Sequence, residues 1–385
     1  MLMLKLALKN LMSAGLRTWL SVSVLALSYI LIIFYNGLIE GWNQQARNDS
    51  INWEFGYGQL WHQDYNPYDP FNLRDAHGQI PEYGKENLTP ILIRPASIYP
   101  QGRMQSVTLK GIPADQTLFE MPTKQLSSNS DGVIKAIVGN RMAKAASLKE
   151  GDQILTRWRD KNGTFDALQI EIAGIFQTDV PSVDNGNIWL DIDQLYDLTQ
   201  LQNEATYLVA NAEFNPKEIA GWEFHSQDQL LEDIDNLIAT EKASGVIIYG
   251  LLLGLALLAI FDTQVLSIFR RQKEIGTFIA LGMTRWDVVK MFTIEGTANS
   301  LLGAVMGAVL GTPLFIYLVK TGISMPDYAQ SMNVTISQTI FPTFGIGLIL
   351  TTLAIIVGAT MIVSYWPARK IAQMDPTLAL KGKIQ

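Results

Sequence analysis

Apolar residues crowd toward the two ends of the chain, and a more polar stretch fills the middle. Four runs, 18–38, 245–268, 293–319 and 340–365, each approach or exceed the roughly 20 residues that a helix needs to cross about 30 Å of hydrocarbon. All four are predicted to be transmembrane helices. Lys5, Lys9 and Arg17 precede the first run, as basic residues do in a cleaved secretory signal. Its core is too long for such a signal, and no small-x-small cleavage site follows before the amides and charges of NGLIEGWNQQARND. An uncleaved anchor is the better reading.

The region 39–244 is patterned differently. LTPILIRPASIYPQGRMQSVTLKGI alternates apolar and polar positions around Gln101-Gly102, which predicts a β-hairpin. GVIKAIVGNRMAKAASLKEGDQILTRWRDKNGTFDALQIEIAGIF reads strand, short helix from Asn140, strand, strand, with turns at 150–152 and 161–163. NIWLDIDQLYDLTQ adds a strand and a helix capped by Asp191 or Asp193. SQDQLLEDIDNLIATEK predicts an amphipathic helix leading into the second span. The fold class expected is therefore an α-helical membrane protein of four transmembrane helices, with an α/β (α+β) domain of small or barrel-like core inserted between helices 1 and 2. Residues 1–17 suit a helix on the inner membrane surface, or an extension of the first span.

Charge gives the orientation, because Lys and Arg are retained on the cytoplasmic side while acidic domains cross freely. Positions 40–242 hold 30 acidic and 16 basic residues, a net of −14, and the remainder holds 6 and 13, a net of +7. All the basic residues of the remainder except Lys320 fall at the N-terminus, at 269–292 and in the tail 366–385. Both termini are thus expected in the cytoplasm, with 39–244 and the short loop 320–339 outside. The chain has no cysteine, so it uses no disulfides there and is not itself lipidated through one. Nucleic acid is not an expected partner, since the acidic domain would repel phosphate.

Little here points to an enzyme. His62, His77 and His225 make no close metal-ligand pair, so no metal site is expected. No G-x-S-x-G elbow and no G-x-x-x-x-G-K-[ST] phosphate loop occurs. If ATP is consumed, another chain supplies the site.

The segment 269–292, FRRQKEIGTFIALGMTRWDVVKMF, is the main candidate. Arg270 and Glu274 are an i,i+4 pair, and Ile275, Phe278, Ile279 and Leu281 form an apolar stripe before a Gly282 C-cap. The stripe has no evident partner in the chain. It either docks another protein or rests on anionic lipid headgroups.

The stretch RRQKEIGTFIALGMTRWDVVKMFTIEGTANSLLGAVMGAVLG resembles the signature of the ABC-transporter permease superfamily of MacB, FtsX and LolC–LolE type, approximately R-x-x-E-I-G-x-x-x-A-L-G with a Glu-Gly opening to the third span. The tail WPARKIAQMDPTLALKGK is similar to that family's ending, and the start LALKNLMSAGLRTWLSV to its entry helix. VTLKGIPAD and IAGIFQTDVPSVDNGNIWLDIDQLYDL look more loosely like the lipoprotein-releasing branch.

The resemblance implies a permease with porter and sabre halves in the outer domain, few polar groups lining its spans, and a separate cytosolic ATPase dimer that binds ATP and magnesium, leaving no cofactor in this chain. Arg270, Arg271, Glu274, Ile275, Gly276, Phe278, Leu281, Gly282 and Arg285 would couple to that ATPase. A second copy or a sister permease would complete the unit. Two intramembrane acids are singled out: Asp262, able to snorkel toward Arg270, and Glu295, placed for a contact between spans or with the coupling helix. Thr178, Asp179, Pro181 and Asp184 fall where the branch can carry a loop recruiting a periplasmic lipoprotein chaperone. Gly303, Gly307 and Gly311, four apart, suit close helix packing or a dimer seam. The function implied is movement of a lipoprotein or other amphipathic substrate out of the outer leaflet of a bacterial inner membrane. FtsX-like signalling to a cell-wall hydrolase and MacB-like drug or peptide export are the alternatives.

Overall fold

The computed structural model describes residues 16–127, 133–325 and 337–372. The expected surface helix before residue 16 and the tail beyond 372 lie outside the described residues. The chain divides into two compact units, Met1–Trp42 with Ile238–Ile323 and Thr339–Gln385, and Asn43–Leu237 with Ser324–Gln338.

In chain order the principal elements begin with α1 (Leu16–Ser50), β1 (Gly58–His62), β2 (Leu88–Ile98), β3 (Gln105–Ile112) and β4 (Ile134–Gly139). They continue with α2 (Asn140–Ala146), β5 (Gln153–Arg159), β6 (Phe165–Phe176), α3 (Pro181–Asp184), β7 (Asn187–Asp191) and α4 (Ile192–Thr199). β8 (Tyr207–Ala210), β9 (Trp222–Ser226), α5 (Glu232–Arg270), α6 (Gln272–Ala280), α7 (Arg285–Thr321) and α8 (Ile346–Ala372) complete them.

Among the described residues four helices are long and apolar enough to cross a membrane. Their bounds differ from the apolar runs. α1 continues past 38 to Ser50 because GWNQQARNDS contains no proline and several good helix formers. α5 starts at Glu232, not 245, with Glu232, Asp233 and Asp235 in its first turn, where acids suit the positive end of the helix dipole. α8 starts at Ile346, not 340, since Pro342 disfavours a helical residue before it. Thr339–Ile340 instead forms a short ladder with Ile323–Ser324.

Leu25, Tyr29 and Ile32 of α1 pack with Ala256 and Ile260 of α5 and Ile356 of α8. A Cβ on Gly303 would sit 2.7 Å from the Leu25 Cβ, and one on Gly307 would lie 3.2 Å from the Ala26 carbonyl oxygen. The glycine stripe is therefore filled by α1 of the same chain, which is the packing reading and not the dimer seam. Tyr29–Ser300 (2.9 Å) and Ser21–Thr263 (2.6 Å) join these helices through hydroxyls. Gln264, Asn299 and Ser364 are buried too, so the helices hold more interior polar groups than expected. Their outer surfaces are apolar, Leu251, Leu258, Val309 and Ile362 each being more than 60% exposed, as lipid-facing side chains are.

In the other unit, β2 bonds to β3, β3 to β7, β7 to β4, β4 to β6 and β6 to β5, and β5 returns to β2. The six strands close a barrel, with β3–β7 and β4–β6 parallel and the rest antiparallel. The long β2 also bonds β8 through 88–91, which extends the sheet to β1 and β9. Strict alternation in β5 turns Ile154, Thr156 and Trp158 inward. Ile154 and Trp158 meet Leu92, Leu109, Ile172 and Leu190, with Met142 of α2 and Leu195 of α4 packed on them. Trp158 is 2% exposed, and its indole N–H donates to the Leu198 carbonyl at 2.8 Å.

Candidate functional site

The residues between α5 and α7 form a bent joint. α5 ends because Arg271 leaves helical geometry, at φ −101° and ψ 14°, and caps a fresh helix, α6. α6 ends in turn at Leu281, and Gly282 follows at φ +101°, a left-handed conformation open to glycine. Thr284 then caps α7: its hydroxyl oxygen accepts the Asp287 N–H at 3.2 Å while its hydroxyl hydrogen reaches the Asp287 carboxylate. The Thr-x-x-Asp spacing at 284–287 is a helix-start signal already present in the sequence.

The bend decides which charges meet. Arg270 is exposed and does not pair with Glu274; Arg271 does, at 2.9 Å, because the break after Arg270 interrupts the helical spacing. The Arg271 guanidinium also donates from Nη1 to Glu295 of α7 at 3.0 Å and lies 5.3 Å from the Phe292 ring centroid. Glu295 is 6% exposed, so the pair is largely desolvated.

The apolar stripe also splits. Ile275 is 3% exposed and packs with Ile268 of α5, Val288 and Phe292 of α7 and Ala368 of α8, so it has partners within the chain. Gly276 is buried, and Ile279 is partly buried against the same cluster. Leu281 is 80% exposed and Trp286 54%. Arg270, Lys273, Gly282 and Arg285 are exposed beside them, and the Phe278 side chain lies outside the described residues. The result is a basic knob with an apolar tip, rooted in a packed base.

Asp262 lies exposed on the α5 surface and makes no ion pair with Arg270 among the described residues. The segment 177–187 is not an exposed loop. Thr178, Pro181 and Asp184 are buried, and Asp179 accepts the backbone N–H of Gln338 at 3.3 Å. Asp184 accepts the N–H groups of Arg141 and Met142 at 3.0 and 3.1 Å, closing the N-terminus of α2. Burial nonetheless pushes its carboxyl above the usual carboxylate range. Among the described residues no group of three metal-ligating side chains is brought together.

Residues 246–376 match the family described as FtsX-like permease C-terminal. The lipoprotein-releasing system transmembrane protein LolC of Neisseria meningitidis is 20% identical over 399 residues, covering 94% of this chain and 94% of that protein. The macrolide export ATP-binding/permease protein MacB 2 of Aeromonas hydrophila is 28% identical over 158 residues, and MacB of Wolinella succinogenes 26% over 201. These cover 40% and 51% of this chain, and the chain spans only 22% and 28% of the length of the two MacB proteins. Residues 246–376, which include the last three long apolar helices, thus carry an FtsX-like permease C-terminal region, and the chain is similar in sequence to permeases of the MacB and LolC type.

Proposed function

We propose that this chain is the permease subunit of an ATP-driven transporter of the mechanotransmission type, acting in a bacterial inner membrane with both termini cytoplasmic. It moves a lipoprotein or another amphipathic substrate from the outer leaflet of that membrane to a periplasmic partner, such as a lipoprotein chaperone. ATP and its magnesium are held by a separate cytosolic ATPase dimer, and a second copy or sister permease completes the assembly. The observation that carries this reading is the joint at 270–285, where Leu281 is exposed at the tip while Ile275 and Arg271 bind the base to α5, α7 and α8. A force applied at such a knob is delivered to three long helices together. Similarity to LolC along 94% of the chain supports lipid-linked cargo. The higher local identity to MacB proteins favours the second reading, export of a drug or peptide.

Co-purification of the tagged full chain with its ATPase tests the joint. Leu281→Asp and Gly282→Trp should each abolish the association while the protein still inserts in the membrane. Retention of the complex by both variants removes docking from this segment. Cargo is separated by reconstituting the complex with a triacylated lipoprotein and, in parallel, a macrolide: ATP-dependent release of the first supports the main reading, and transport of only the second replaces it.

A further inference from the structure

A groove in the α/β unit lies outside this joint. Its volume is about 750 Å³, and it runs across β5, β2 and β3. Strand register puts Arg157 opposite Ser97, Ser97 opposite Ser106 and Arg159 opposite Phe165, so these side chains share one face. Arg74, Arg94, Arg157 and Arg159 line the groove, and none of its lining residues is acidic. That is unusual in a region whose net charge is −14.

Arg94 has the carboxylates of Asp75, Glu204 and Asp160 in its surroundings, but Arg74, Arg157 and Arg159 have no ion-pair partner among the described residues. The guanidinium carbons of Arg157 and Arg159 lie 3.8 and 4.1 Å from the Phe165 ring centroid, which holds two like charges side by side. Asp160, next to Arg159, accepts the N–H groups of Asn162 and Thr164, and Asp166 pairs with Trp158, on the other face of β5. Arg94 is 3% exposed; its Nη1 donates to the Leu73 and Arg74 carbonyls, but its Nε has no acceptor. A buried donor left unmade is costly. Beside these cations Phe71, Met104 and Phe165 are 89%, 66% and 51% exposed.

Clustered unpaired guanidiniums next to exposed apolar side chains fit one ligand that carries both an anion and a hydrocarbon chain. We propose that this groove binds a single-chain phospholipid, with its phosphate on the arginines and its acyl chain along Phe71, Met104 and Phe165. A phosphate offers more acceptor oxygens to converging guanidinium forks than a carboxylate does, and sites for small ligands commonly enclose about 300–1,000 Å³. As a contact for cargo the groove rests on the transport reading above; as a ligand site it does not.

The test titrates the full chain, held in amphipol, with dodecyl phosphate below its micellar concentration and follows the heat. Dodecanol, inorganic phosphate and dodecanoate serve as comparisons. Dodecyl phosphate is expected to bind more tightly than all three. Arg157→Ala and Arg159→Ala should each weaken it by about tenfold, the loss of one charged hydrogen bond. Ser97→Trp, which fills the groove and removes no charge, should abolish binding, and Gln153→Ala at the start of β5 should leave it unchanged. Parent-like affinity in the double arginine variant, or equal binding of inorganic phosphate or dodecanoate, overturns the proposal. Because no ATPase is present, this result stands or falls separately from the docking experiment.

Discussion

Removing the Glu295 carboxylate asks whether α6 is tied to α7 by one buried ion pair. Arg271 makes two charged bonds of similar length, 2.9 Å to Glu274 and 3.0 Å to Glu295. Their surroundings differ. The Glu274 side chain is 59% exposed and that of Glu295 8%, while Arg271 is 19% exposed. An exposed pair contributes about 0.2–1 kcal/mol, because water and side-chain entropy offset most of the attraction. Deleting one member of a buried pair costs about 3–5 kcal/mol, since the remaining charge is left desolvated. Arg271 keeps Glu274 and some contact with solvent, so the lower end applies: about 3 kcal/mol for Glu295→Ala and less than about 1 kcal/mol for Glu274→Ala. Denaturant and thermal unfolding of the detergent-solubilised full chain, followed by tryptophan fluorescence, would resolve that gap. A double-mutant cycle with Arg271→Ala should give a coupling of about 1–3 kcal/mol for the 271–295 pair. Equal losses for the two glutamate variants, or a cycle that closes near zero, would refute the reasoning.

Gly303→Val should lower stability by about 1–3 kcal/mol through overpacking against Leu25. Gly254→Ala and Gly358→Ala, where an added Cβ meets nothing within 4 Å, should be neutral or stabilising in the same melting assay. Asp184→Ala removes the acceptor of two α2 N–H groups and should cost about 1–2 kcal/mol and speed proteolysis of the α/β unit; unchanged proteolysis would return the segment to a surface role. Burial, followed by the neighbouring Asp193 charge, pushes the Asp191 carboxyl above the usual range. A carboxyl whose folded value is raised stabilises the fold fully below its unfolded value of about 3.9, and that contribution is lost as pH rises through the folded value. Asp191→Asn keeps a good N-cap residue, so it should melt higher than the parent near about pH 7 and lose that advantage below about pH 4. A gain independent of pH would show that the charge is not responsible.

Much of the α/β unit was legible because its signals are local. The alternation over 153–159, Asn140 opening α2, and Gln101 and Gly102 at φ 51° and 78° in the hairpin turn all act over a few residues. Barrel closure was only a possibility in the sequence, because it depends on 96–98 of β2 finding 156–158 of β5. Period 2 says which face is buried and does not say which strand lies beside it. The burial within 177–187 is hidden in the sequence for a related reason. Asp, Ser, Pro, Asn and Gly mark exposed loops and also the tight turns and caps that close a core. The partner of Asp184 is Arg141, 43 residues away.

The joint at 270–285 shows what a stripe in sequence can conceal. Spacing alone put Ile275 and Leu281 on one apolar surface awaiting a single partner. Arg271 breaks the helix before the first, and Leu281 caps α6 just ahead of the left-handed Gly282, so the two side chains part to 3% and 80% exposure. One is core and the other is free. A docking element needs both: without the Ile275 and Arg271 anchors an exposed leucine would move independently of the helices it is meant to drive, and without Leu281 a rigid base would offer a partner only charge. On the docking role proposed above, loss of ATPase association would have two origins, distinguishable because a change at Ile275 should alter melting as well as binding, whereas a change at Leu281 should alter binding alone.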